Sequence, residues 1–273
     1  MAGRLGQIHD VAEVLAQSPG AIANLAALAG GREIAAHGHA NAYLQLHVLG
    51  GYSDCGEAGE RVIDGPAASF FPAGSAHAMR IAPGGLATVI IEFDAQRLQR
   101  LVGERARSTG VIHWIGGALG AQAAELGRWW LARPSPPFAA TTAFLAAALA
   151  SKAQAQGPPR WLGGLEAELA GGAPRADRLA ARLGVTRPWL GRAYRAWRGE
   201  GIAQTLRRRR VAAAAQLIER SELGLADIAA AVGFCDQSHM NRAFQHLLGR
   251  TPAALRATPL GLAPATCAPS AHG

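Results

Sequence analysis

The hydrophobic positions along the chain change their spacing more than once, and each change predicts a different kind of element. Ile8 to Ala16 has helical spacing and predicts a short helix, whereas Ala21 to Leu28 is an apolar run whose period does not decide between helix and strand. From Glu33 the pattern shortens. Tyr43–Leu49, Glu60–Ile63, Ala67–Phe71 and Ala87–Phe93 are bounded by Gly, Pro or Asp-Gly, which predicts antiparallel strands and a β-barrel or sandwich over residues 30–95. After Phe93 the period is helical: Ala95–Glu104, Gly120–Ala132 and Ala139–Gln156, with Pro134, Pro136 and Pro137 separating the last two. Trp129, Trp130, Phe138 and Phe144 give that helical pair an apolar face suited either to the core or to a dimer interface. Gln156-Gly-Pro-Pro159 reads as a linker, and Trp161–Leu169 and Ile202–Glu219 as further helices.

The segment Leu225 to Phe244 carries the most specific pattern. Leu225, Ile228, Ala229 and Val232 fall at helical spacing, and Gly233 follows where a helix C-cap favours positive φ. Asp236 can then cap a second helix whose apolar side is Met240, Ala243, Phe244 and Leu247. Helix, glycine turn and helix is the outline of a helix-turn-helix, in which the second helix offers its first residues to base edges in the major groove. Here those residues are Gln237, Ser238, His239, Asn241 and Arg242. Alone, the pattern fits an ordinary helical hairpin equally well. It occurs twice, however: upstream, Ala180, Leu183 and Gly184 match Ala229, Val232 and Gly233, and Arg192-Ala-Tyr194 matches Arg242-Ala-Phe244, with one extra residue in the second turn. The first copy adds Arg187, Trp189 and Arg195, and Pro188 suits the first turn of a helix.

Charge sharpens this picture. The net +8 is not spread over the chain: residues 1–157 hold eleven basic and eleven acidic groups, and residues 158–273 hold sixteen and eight. All the excess lies with the repeated motif, as expected of a domain that neutralises phosphates. A run at Arg207–Arg210 offers further phosphate contacts, at most half of them at once, because successive helical residues face different ways. Cys55, Cys235 and Cys267 are odd in number and unpaired in spacing, so they read as isolated thiols. The start has no basic-then-apolar leader pattern and Phe138–Ser151 is too short to span a bilayer, which leads us to expect a cytoplasmic protein without membrane contact.

The β region holds candidate chemistry of its own. Gly31 is followed by His37-Gly-His39 and then Gln45, and a second cluster runs Pro72-Ala-Gly74-Ser-Ala-His77. Residues two apart on a strand face one side, so His37 and His39 can converge and strand pairing can bring His77 to them. Three imidazoles and an amide oxygen suit a divalent metal. His47 reads either as pointing to the face opposite an in-facing His39 or as a strand-surface histidine, the second being preferred.

These motifs resemble the cupin fold, whose patterns are G-x5-H-x-H with a following acidic residue and G-x5-P-x-G-x2-H. The histidines match; Gln45 stands in place of the acid, and Gly65 lies one residue farther from Pro72 than the pattern asks. Residues 160–257 resemble the DNA-binding domain of the AraC/XylS regulators, through Gly233-Phe234, Ser238-His239, Arg242-Ala243-Phe244 and Gly249-Arg-Thr251-Pro252. That resemblance implies that Arg187, Pro188, Gly191 and Arg192, and in the second unit Gln237, Ser238, His239, Asn241 and Arg242, face DNA, with Gly191 departing from the usual polar residue. It also implies a cupin effector domain, lined by His37, His39, Gln45 and His77. The run from His37 to Leu49 looks like the subgroup sensing hydroxyphenylacetate or hydroxybenzoate, which implies an aromatic acid and Arg80 or Arg61 as its counter-charge.

The expectation is therefore a two-domain chain: an N-terminal cupin-like β-barrel plus helical pair, and a C-terminal all-α domain with two helix-turn-helix motifs. Its divisions are residues 1–112 for the effector domain, 113–157 for a helical dimerisation segment and linker, 158–258 for the DNA reader, and 259–273 for a disordered tail. The function expected is a DNA-binding transcription regulator, an activator, controlled by a small-molecule effector. Double-stranded DNA, that effector, a second copy of the chain and RNA polymerase are its partners. The alternatives are a regulator sensing a metal ion, or a metal-dependent cupin enzyme fused to a DNA-binding module; a divalent metal held by His37, His39, Gln45 and His77 is the one cofactor envisaged.

Overall fold

In the computed structural model, which describes residues 11–56, 59–103, 110–132, 135–151, 160–170, 180–182 and 184–262, the N-terminal part is an eight-stranded antiparallel sheet. The strands are β1 (Val11–Ser18), β2 (Ala21–Leu28), β3 (Glu33–Gly38), β4 (Ala42–Gly56), β5 (Gly59–Asp64), β6 (Ala67–Phe71), β7 (Ala76–Phe93) and β8 (Ile112–Ile115). The hydrogen-bonded path runs β1-β2-β7-β4-β6-β8, with β3 on β7 and β5 on β4. Where a closed barrel was expected this path is open, with β1 and β8 at its ends. The expected helix at Ile8–Ala16 is strand β1 from Val11 onward; pairing to β2, with two irregularities in its register, overrides the helical spacing of its apolar residues. Strand β8 was not foreseen, since four residues are too few for a period to show.

Two long strands organise the sheet. Residues 43–46 of β4 pair with β6 on one side and β7 on the other, while residues 51–56 pair with β5 and with the first half of β7. The register of β4 on β7 shifts around Gly50, which sits at φ 77°, and a Cβ there would run into the carbonyl of Gly85. Only glycine satisfies both demands.

Alternation then sorts the side chains. Leu44, Leu46, Val89 and Ile91 join the main core with Trp114, Trp130 and Phe144, while Tyr43, Gln45, Thr88 and Ile90 face the opposite, concave side. His47 belongs to the second set. It is 4% exposed and stacked on Tyr52, not on the surface as its sequence suggested, because a polar residue inside a fully buried strand does not announce which side it takes.

Helices α1 (Ala95–Val102), α2 (Gly117–Ala132) and α3 (Phe138–Ala150) follow. The α2–α3 pair closes on itself: Trp130 Nε1 donates to Thr141 Oγ1 at 3.0 Å, and Trp130 meets Phe138 edge-on. Trp130 and Phe144 are buried, each contributing on the order of 1.5–3 kcal/mol by desolvation. Of the four aromatics considered for a dimer face, Trp129 alone is exposed beyond a third, at 37%. The apolar face of this pair is thus largely spent inside the chain.

The C-terminal part comprises α4 (Arg160–Ala170), α5 (Arg187–Arg198), α6 (Ile202–Arg220), α7 (Leu225–Ala231), α8 (Gln237–Leu248) and α9 (Pro252–Ala257). The linker at 156–159, Leu183 and most of the first copy's leading helix lie outside the described residues; 180–182 are helical. Helices α5 and α8 are each twelve residues long, begin at a side-chain cap and end at a left-handed glycine, Gly199 at φ 73° and Gly249 at φ 67°. The duplication is therefore plain in three dimensions. Between them, α6 buries Val211, Ala214, Ala215 and Ile218.

The two parts pack on one another. Asp64, at the end of β5, receives Arg208 at 3.3 Å and Arg209 at 3.1 Å, and its carbonyl accepts from Arg198. The Arg207–Arg210 run is thus partly structural: Arg208 is buried and also holds Glu200 at 3.3 Å, and Arg209 pairs with Glu166. Disorder was expected from residue 259, yet the chain there returns to the sheet. Leu260 and Gly261 donate to Glu219 Oε1 at 2.7 and 3.1 Å, Leu262 accepts from Gly30 N at 3.2 Å, and the Leu262 side chain is buried in the main core; residues 263–273 lie outside the described residues.

Candidate nucleic-acid interface and ligand cavity

Each recognition helix is presented by its first turn. In α8, Asp236 accepts from His239 N at 2.6 Å, which satisfies a free N–H and fixes the direction of the first turn. Gln237, Ser238 and Arg242 are exposed; His239 and Asn241 are half-buried, the former edge-on to Phe234 at 5.2 Å. Met240, Ala243, Phe244 and Leu247 are buried, as their spacing predicted. In α5 the cap is Thr186, accepting from Trp189 N at 3.3 Å, with Pro188 in the first turn. Arg187, Pro188, Trp189, Arg192 and Arg195 are exposed and Gly191 is half-buried. Trp189 also meets Trp161 of α4 edge-on at 6.2 Å, so half of this ring serves packing and half faces solvent.

The concave side of the sheet encloses a cavity of about 450 Å³. His37, His39, Gln45 and His77, singled out from two distant motifs, all line it. Strand β3 lies on β7 with His37 opposite His77, which brings the rings to 4.5 Å between centroids; His39 is 4.9 Å from His37 and 5.7 Å from His77. One nitrogen from each of the three lies within 4.8 Å of the others. The apolar wall is Ala26, Leu28, Ile34, Met79 and Ile90.

Behind His77 lies a network absent from the sequence reading. Asp54 is 3% exposed and accepts from His77 Nδ1 at 3.2 Å and from His113 Nε2 at 3.1 Å. His113 Nδ1 meets Ser69 Oγ at 2.8 Å, Ser69 Oγ meets Tyr52 OH at 3.2 Å, and Tyr43 OH reaches His77 Nε2 at 3.2 Å. Burial alone would raise the Asp54 pKa, but the hydrogen bonds from His113 and His77 outweigh it and hold the carboxyl at about 2. Burial keeps the Tyr43 phenol protonated, well above its ordinary range. His47 is the exception, since both its ring nitrogens are enclosed without a hydrogen-bond partner. Burial, then the nearby His113 and Arg208, lowers its pKa to about 3.

Neither arginine proposed as counter-charge lines the cavity. Arg80 is exposed and paired with Glu33 at 3.0 Å and Glu60 at 3.4 Å, and Arg61 is exposed on β5. Arg32, next to the motif's Gly31, lines it instead, as do Asn41 and the buried Glu92. Alternation along β7 could have flagged Glu92, which shares a side with Ile90 and Thr88; no sequence signal ties Asp54 and His113 to His77, because two separate strand pairings bring them together.

Two capped helices joined by one connecting helix, in the part of the chain that carries the excess positive charge, form a pair of helix-turn-helix units of the kind that enters DNA grooves. Residues 179–258 match a helix-turn-helix domain family. Among curated relatives, the HTH-type transcriptional regulator GlxA of Rhizobium meliloti is 42% identical over 82 residues. That match covers 29% of this chain and 25% of the relative, so the chain spans about a quarter of it. Among solved structures, unsaturated fatty acid bound ToxT from Vibrio cholerae overlays with a TM-score of 0.39 at 12% identity, covering 90% of this chain and 98% of that one. The DNA-binding domain of AdpA in complex with a target DNA overlays with a TM-score of 0.33 at 27% identity, covering 37% and 92%.

Proposed function

We propose that the chain is a ligand-responsive, sequence-specific transcription regulator: the duplicated helices read DNA and the cavity of a cupin-like N-terminal domain binds the small molecule that controls them. The observation that carries the first half is the equivalence of α5 and α8, each capped, each exposing its first turn, each with an arginine at the same place, Arg192 and Arg242. Phosphate contacts position such a reader, and Gln237, Ser238 and Arg242 specify sequence. We further read it as a cytoplasmic activator that acts as a dimer and contacts RNA polymerase. No helix among the described residues is long and apolar enough to cross a membrane. An enzyme is not favoured, since the named relative of the reader domain is a regulator.

The test is binding to a duplex selected by the full chain from a random-sequence library. Arg242→Ala costs about 1–3 kcal/mol and relaxes preference at one base pair. Uniform weakening on every sequence makes Arg242 a phosphate contact, and full affinity in Arg192→Ala makes the first unit scaffold.

For the cavity, apolar walls with Arg32 and three imidazoles suit an organic acid, an aromatic one fitting the volume. Thermal-shift screening of aromatic carboxylates tests this; no shift with any of them, against a shift with another class, replaces the ligand. One observation favours a second component, a divalent metal ion. His77 Nδ1 is held by the Asp54 carboxylate and His37 Nδ1 by the Ala35 carbonyl at 2.9 Å, the kind of backing that orients metal-ligating imidazoles, and His77 Nε2 would exchange its 3.2 Å contact with Tyr43 OH for the ion. His37, His39 and His77 would hold the ion, which when bound supplies a positive anchor for an anionic effector. Calorimetric titration with zinc, nickel and manganese, repeated on His37→Ala, decides it.

A further inference from the structure

Helix α2 touches both recognition helices at equivalent points. Gly199 closes α5 and Gly249 closes α8, and they are related by the same offset of fifty residues as Arg192 and Arg242. A Cβ on Gly199 would come within 2.6 Å of the Gly117 carbonyl and 3.0 Å of Ala121 N, at the start of α2. A Cβ on Gly249 would collide with the Leu131 carbonyl, at its end. Gly116, just before α2, is equally close to the Trp197 carbonyl in the last turn of α5. The two C-caps are therefore seated on one helix, fourteen residues apart, and at 1.5 Å per residue that fixes them about 21 Å from each other along it.

DNA asks for a different distance. Two copies entering successive major-groove segments in the same pose are related by one helical turn, a translation of about 34 Å that applies to every pair of equivalent atoms, C-caps included. The seated arrangement is shorter by roughly 13 Å. We infer that α2 is a gauge that pins the two recognition helices too close together for simultaneous reading, so that at least one C-cap leaves α2 when DNA is bound. Its other side rests on the cavity-bearing sheet: Gly120 lies against the Pro66 carbonyl, and Gly127 against Val48 and the His47 carbonyl. Movement of β4 is thereby passed to both helices at once.

The inference rests on the reading of α5 and α8 as a DNA reader, and its test separates the two. Spin labels are placed on the equivalent exposed positions by A196C and H246C, in the full chain with Cys55, Cys235 and Cys267 replaced by serine, and the distance between them is measured by electron double resonance. Two variants wedge the contacts open: Ala121→Leu beneath Gly199, without disturbing α2, and Gly249→Ala. Gly184→Ala is the control, since Gly184 has φ 65° but open space around its missing Cβ. The expected result is a short distance in the free protein that lengthens by about 10 Å on the selected duplex. In Ala121→Leu or Gly249→Ala the free protein is already lengthened and binds that duplex about ten-fold tighter, while Gly184→Ala does neither. An unchanged distance on DNA, or wedge variants that shift neither distance nor affinity, overturns the gauge. If no duplex is bound by any variant, the DNA-reading proposal fails, and the wedge-dependent distance in the free protein alone decides the pinning. Should Gly249→Ala not fold, Ala121→Leu carries the comparison.

Discussion

The carboxylate of Asp64 stands 3.3 Å from the guanidinium of Arg208, and through this pair a strand end of the sheet domain grips the helix that connects the two readers. Arg198 and Arg209 converge on the same residue, at 3.8 and 3.1 Å from its carboxylate. Burial would raise the Asp64 pKa, but Arg208, Arg198 and Arg209 together hold it below the ordinary carboxylate value.

Asp64→Asn should lower stability by about 1–2 kcal/mol, a figure discounted for the partial exposure of Asp64, and split the thermal transition toward two steps in calorimetry. Because the folded-state pKa is depressed, the contribution is fully present above the unfolded value of about 4 and fades as pH falls below it. Wild type and variant therefore differ most near neutrality and converge on acidification; a difference that grows in acid contradicts the role given to Asp64.

His47→Phe should be neutral or stabilising. The variant keeps a ring against Tyr52, 5.2 Å away and nearly parallel, and removes two enclosed nitrogens that have no partner. A gain of about 1 kcal/mol appears as a rise of roughly 2–4 °C in melting temperature for a chain of this size. A clear loss instead points to a buried water or ligand on those nitrogens.

Asp54→Ala leaves His77 and His113 each without the acceptor they share, and a buried pair broken from one side costs about 3–5 kcal/mol. Denaturant unfolding measures this directly. A cost below about 1 kcal/mol means that the network is wet or rearranges.

Asp236→Ala removes the cap of α8 and should cost about 0.5–2 kcal/mol, with operator affinity falling further than stability because Gln237 and Ser238 sit in the turn that frays. Parallel measurement of melting temperature and DNA affinity separates the two effects; affinity unaffected by loss of the cap would show that the first turn does not carry base reading.

The reader domain was legible in the sequence because its signals are local. A cap, a turn glycine and four apolar residues at helical spacing fix α8 without reference to anything distant, and the second copy repeats them. His37, His39, Gln45 and His77 were legible as a set for a similar reason, since alternation places each and one pairing of β3 on β7 unites them. Asp54 and His113 were not, because they join the site only through two other strand pairings. Val11–Ser18 failed in the opposite direction: its local spacing is helical, but β2 offers a row of backbone partners that the segment takes instead. His47 was misplaced because a strand packed on both sides has no polar face to mark its orientation.

Leu262 carries a consequence for modularity. A residue beyond the last helix of the DNA reader fills the core of the sheet domain and hydrogen-bonds Gly30, so the boundary between sensor and reader is not a cut that can be made once along the chain. Grafting this reader onto another sensor would carry off a plug that the donor sheet needs, and a graft ending at Thr258 would leave Glu219 without the two amides it accepts. The two halves are interleaved pieces of a single fold, and the stretch from Leu260 to Leu262 answers to both, its first two amides to Glu219 on the connecting helix and its last carbonyl to Gly30 beside the sheet, so neither half can be exchanged without it.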